Sequence, residues 1–111
     1  MLLAAGAARA APADPLNGAS VFEDRCTLCH VPGGGGQGPS LKGVAGRKAG
    51  SLPGFAYSAA LADSGIVWNE ATLNAFLSDP SKLVPGTAMR VIVADPDERR
   101  DLVAYLTSPK P

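Results

Sequence analysis

The 111-residue chain has no surplus of either charge: ten Lys and Arg balance ten Asp and Glu. Non-specific binding to nucleic acid or to an anionic membrane needs a basic excess, so the balance argues against both. Like charges do not run together anywhere, so no polyionic tail is present. Aromatic residues make up only 5%, and the length suits one domain with a modest apolar core. No stretch approaches the roughly 20 apolar residues that span a bilayer as a helix. Strand-like alternation of useful length is missing too, which leaves an all-α reading. The single His and two Cys are too few for a four-ligand zinc site.

Glycine and proline, by contrast, are plentiful, at 13 and 10. The opening residues 1–13, MLLAAGAARAAPA, form a short apolar stretch of small side chains. Ala8-Arg9-Ala10 and Ala11-Pro12-Ala13 both fit the small-x-small pattern of a signal-peptidase site. Residues 1–13, although without the usual basic start, therefore read as the remnant of an export leader, a disordered alanine-rich tail being the alternative, and 14–111 as the domain.

Asp14-Pro15 predicts a helix start, with Leu16, Ala19, Phe22 and Cys26 spaced along one apolar face. Residues 32–39, PGGGGQGP, exclude regular structure, and further Gly and Pro extend the loops to about residue 56. A helical turn is expected over Ser58–Asp63. Asn69 caps a helix to Ser78 that Pro80 ends, with Leu73, Phe76 and Leu77 inward. Residues 83–93 read as a surface loop. Asp95-Pro96-Asp97-Glu98 resembles a capping box opening a last helix with Leu102, Val103 and Leu106 inward. Three or four helices joined by such long loops imply that the chain wraps around something.

The two cysteines show what that is. Cys26-Thr27-Leu28-Cys29-His30 is the attachment signature of c-type haem. Two thiols one helical turn apart reach two vinyl groups, and the adjoining imidazole meets the iron. A redox disulfide would be expected in a βαβ setting, which this pattern does not offer. For the second axial ligand Met89 is the candidate, since Met1 lies in the leader. The competing reading of Met89 is core filler.

From residue 14 to about 107 the chain resembles the class I cytochromes c, the mitochondrial-type proteins and bacterial cytochromes c2. The matching pieces are CTLCH at 26–30, GPSLKGVAGRKAG at 38–50, PGFAYS at 53–58, GIVW at 65–68, PGTAM at 85–89 and DLVAYL at 101–106. The resemblance implies a cytochrome c fold around one covalent haem c and a soluble, monomeric electron carrier rather than an enzyme. Its partners would be redox proteins in the periplasm, the mitochondrial intermembrane space being the lesser alternative. A carrier that diffuses and one docked as a subunit both suit the neutral charge. It further implies axial ligation by His30 and Met89, with the Pro39 carbonyl accepting from the His30 ring. Arg47, Tyr57 and Trp68 would stand around the propionates, and Thr87 would face the haem on the Met side. Gly18, Phe22 and Tyr105 would mark the crossing of the terminal helices.

Three departures from the family pattern stand out. Phe76 replaces a frequent Tyr and Leu61 a frequent Asn, so the Met side should be more apolar. Ala88 and Ser81 take usual Lys positions while Arg25 and Lys82 remain, so electrostatic steering should be weaker. Lys82 becomes the candidate to displace Met89 at alkaline pH.

Overall fold

Asp14 and Pro15 open the first helix, α1 (Pro15–Arg25), as the sequence predicts: the Asp14 carboxylate accepts from the Leu16 N–H at 3.0 Å. The structure, a computed structural model, describes residues 12–31 and 35–108. Most of the expected leader at 1–13 therefore lies outside the described residues.

Among the described residues four further helices follow: α2 (Ala59–Ala62), α3 (Glu70–Ser78), α4 (Pro80–Leu83) and α5 (Pro96–Leu106). Ser58 caps α2 through its hydroxyl, which accepts from Leu61 N–H at 3.2 Å. The chain is all-α with the cytochrome c architecture; among the described residues the only strand-like feature is an isolated bridge between Lys48 and Val67. Two of these helices are single turns, so where three or four were expected the described residues hold three longer helices and two short ones.

Several local expectations need correction. Pro80 does not simply end a helix. Asp79 breaks α3 in an extended conformation, and its carboxylate then caps α4, with Pro80 in the first turn, where a missing N–H is harmless. The reciprocal capping box sits at α3, where Thr72 N–H donates to Asn69 Oδ1 at 3.0 Å and Asn69 N–H to Thr72 Oγ1 at 2.8 Å. At α5 the Asp95 carboxylate accepts from Asp97 N–H at 2.8 Å, while Glu98 reaches towards Arg25, 3.9 Å away. The inward face of α1 is Gly18, Val21 and Phe22; Leu16 lies before the crossing and is 81% exposed.

α1 packs chiefly against α5, and α3 against α5 and α4. Close approach at the first crossing demands Gly18: a Cβ there would overlap the Asp101 carbonyl and stand 2.9 Å from Tyr105 Cβ. Phe22 and Tyr105 flank it with ring centroids 5.4 Å apart. Leu102, Val93 and Pro80 are the largest fully buried side chains. Burying a side chain such as Leu102 contributes about 1.5–3 kcal/mol. Residues 83–93 are not merely a surface loop. Val84, Thr87 and Val93 are buried, and Val93 N–H donates to Leu77 O at 2.9 Å.

Candidate functional site

The loops and the inner faces of the helices enclose a cleft of about 420 Å³, a size typical of cofactor sites, which run from about 300 to 1,000 Å³. All ten residues singled out in the sequence line it: Cys26, Cys29, His30, Pro39, Arg47, Tyr57, Trp68, Phe76, Thr87 and Met89.

The cysteine end is set where α1 runs out. Cys26 is the C-cap of α1, and its carbonyl accepts from the N–H groups of Cys29 at 3.2 Å and His30 at 2.8 Å. That tight turn sends Leu28 outward, 90% exposed, and brings Cys26, Cys29 and His30 to the cleft. Both thiols are free. Burial pushes the Cys26 thiol up to about 11, partly countered by the Arg25 charge. A thiol so seldom ionised is poorly suited to disulfide exchange. His30 Nδ1 stands 2.8 Å from the Pro39 carbonyl oxygen. A carbonyl can only accept, so Nδ1 carries the proton and the Nε2 lone pair is left for another partner. Gly38 lets the loop lie on the imidazole face, since a Cβ there would come 2.5 Å from His30 Cε1.

Met89 enters from the other end of the chain. A turn over residues 84–87 closes with Thr87 N–H donating to Val84 O at 3.0 Å, and Gly86 at φ 91° meets its positive-φ demand. Two arginines hold the following segment: Arg25 donates to Ile92 O at 3.0 Å and Arg99 to Val93 O at 2.8 Å. Met89 is half-buried against the core, and Leu61, Leu73, Phe76 and Leu77 line the cleft with it. Phe76 packs edge-on to Trp68 with centroids 5.1 Å apart.

Arg47 and Trp68 are set side by side by Trp68 N–H donating to Arg47 O at 2.9 Å. The Arg47 guanidinium donates to Ser40 O at 2.9 Å and Lys42 O at 3.1 Å, so its charge is held in place. The Tyr57 hydroxyl accepts from Leu52 N–H at 3.2 Å. Trp68 is buried and lines the cleft. Charge is sorted. Arg25, Arg47, Lys48 and Arg90 line the cleft, and none of the ten carboxylates does. Two thiols, one lone-pair nitrogen, a thioether sulfur, apolar walls and cationic edges fit a haem with its two anionic propionates.

Sequence reasoning missed the apolar lining at Leu41 and Val44 and the role of Gly38. The GPSLKGVAG segment held the signal: its Leu and Val stand between turn residues with no helix or strand to bury them.

The cytochrome c family model matches residues 16–110. The chain belongs to the cytochrome c family. It is 43% identical over 102 residues to cytochrome c2 of Rhodomicrobium vannielii, covering 88% of this chain and 81% of that one. Cytochrome c of Sesamum indicum is 43% identical over 101 residues, covering 87% and 91%. Among solved structures, cytochrome cH from Methylobacterium extorquens superposes with a TM-score of 0.79 at 44% identity, covering 84% of this chain and 96% of that one. As a member of this family the protein binds one covalent c-type haem and carries electrons between redox partners.

Proposed function

We propose that the protein is a six-coordinate electron carrier, with His30 Nε2 and Met89 Sδ as axial ligands and no catalytic step of its own. The observation that carries this reading is the His30–Pro39 hydrogen bond at 2.8 Å, which commits one imidazole nitrogen and frees the other within a cleft also lined by Met89. When bound, the haem supplies a one-electron couple. The chain's part is to hold, orient and exclude water. Cys26 and Cys29 form the thioether links, Pro39 fixes the His30 tautomer, and Leu61 and Phe76 keep the Met89 side apolar. Arg47, Tyr57 and Trp68 stand ready for the propionates. A ligand set that is full in both oxidation states leaves little to reorganise when an electron passes.

We further assign the domain to 14–111, with residues 1–13 as a leader removed on export to the periplasm, where the monomer meets donor and acceptor proteins. The small-x-small sites support this. The deciding measurement is the visible spectrum of the oxidised holoprotein against Met89→Ala. The parent is expected to show the sulfur-to-iron(III) charge-transfer band and the variant to lose it. High-spin, five-coordinate iron in the parent would defeat the carrier reading and favour catalysis at an open iron.

A further inference from the structure

Ala13 and Asp14 meet at an exposed peptide bond just ahead of α1, and the nitrogen of that bond is already engaged. Asp14 N–H donates to Asp101 Oδ1 at 2.8 Å, across 87 positions of sequence. The other oxygen, Oδ2, accepts from Asn17 Nδ2 at 2.9 Å, so the whole carboxylate faces the start of α1. The Asp101 side chain is only 9% exposed. A neutral amide needs just an acceptor, whereas a carboxylate this far out of water is ordinarily matched by a cation. The neighbouring Arg100 matches it only in part: Nη2 is 3.5 Å from Asp101 while Nη1 is 3.6 Å from Asp97.

We infer that the Ala13–Asp14 bond is the one cut on export, and that the α-ammonium so released is received by the Asp101 carboxylate, locking α1 to α5. The inference rests on the export reading above. Hydrolysis adds water across the amide: Ala13 departs as the carboxylate end of the leader, and Asp14 keeps the nitrogen, which takes up a proton at neutral pH. Ala11 and Ala13 supply the small residues that the cut requires, and Asp14 is extended (φ −115°, ψ 100°). The competing cut after Ala10 would leave three residues ahead of Asp14 and keep its nitrogen an uncharged amide. A cation at a helix N-terminus opposes the helix dipole. Here the carboxylates of Asp14 and Asp101 offset that, with Arg100 opposing them and Asp97 drawing Arg100 aside. Maturation would thus convert a hydrogen bond into an ion pair at the crossing on which the fold depends.

The test is made on native holoprotein by N-terminal sequencing and intact mass, followed by NMR titration of the terminal amine. The expected first residue is Asp14, with an amine titrating about one unit above the ordinary 7.7–8.0. Asp101→Asn, which keeps an acceptor for the nitrogen, should return it to the ordinary range. A protein retained in the cytoplasm with its leader would overturn the export reading and the lock together. Exported protein beginning at Ala11 would leave export standing and overturn the lock. So would an Asp14 amine that titrates normally and ignores Asp101→Asn.

Discussion

Where α1 meets α5, regular helices supply their own partners: Gly18 lets the backbones touch, Phe22 stacks near Tyr105, and Leu102 is completely buried. The cleft is built by other means. Among the described residues, 26–58 and 84–95 contain no helix, and Leu41, Val44 and Phe76, though packed against other side chains, also border an open space. One region is a protein core in the usual sense. The other is half of a core whose second half is the porphyrin. Stability at the crossing is therefore a matter of side-chain fit, while stability around the cleft is a matter of attachment.

Breaking the attachment should have the largest effect. Cys26→Ala with Cys29→Ala, expressed alongside haem-maturation machinery, is expected to give colourless protein without a cooperative unfolding transition. The loss should match the whole of a typical stability of about 5–15 kcal/mol, and circular dichroism during thermal melting checks it. Damage at the crossing should be severe but not total. Gly18→Val puts a branched side chain where even a Cβ would overlap Asp101 O, so a loss of about 3 kcal/mol is expected in denaturant titration with haem retained.

Asp101→Ala tests the same crossing through its polar contacts, with an expected loss of about 1–2 kcal/mol at neutral pH. The Asp14 N–H, then Asn17 and Arg100, hold the Asp101 carboxyl below its ordinary value of 3.8. A depressed carboxyl means that the unfolded chain binds more protons in this range, so its stabilising effect is complete above the ordinary value. That effect disappears as pH falls through the folded value. Parent and variant should accordingly converge in acid, and urea midpoints measured from pH 7 to pH 2 check the sign. Leu16→Ser sharpens the contrast from the other side. On the same helix but 81% exposed, it should change stability by less than about 0.5 kcal/mol.

Much of this was legible in the residues because the signals were local. Asp14-Pro15, Asn69 and Asp95-Pro96 each cap a helix where the sequence places one, since a cap needs only its own next few N–H groups. CTLCH and PGTAM named both ends of the site for a similar reason: spacing and turn chemistry are written in consecutive residues. What could not be read depends on partners far away. Leu16 has helical spacing like Phe22, yet only the placement of α5 decides which of them is covered. Glu98 stands at the right step for a capping box, but Arg25, from the opposite end of the chain, competes for it. The burial of Val93 within an irregular segment goes with its bond to Leu77 of α3, which no periodicity in that segment encodes.

The sorting of charge around the cleft has a consequence for how the molecule moves. With ten basic against ten acidic side chains in the whole chain, and nine against ten once residues 1–13 are removed, the protein is only weakly drawn to or repelled by a charged surface at long range. Yet four cations border the cleft and every Asp and Glu side chain lies elsewhere, so a nearby field exerts a torque where it exerts little net force. Arrival is left to diffusion, but rotation is not: the molecule turns its cleft towards negative potential within about a Debye length, about 8 Å at physiological salt. Such a carrier is slow to be recruited and quick to be aligned.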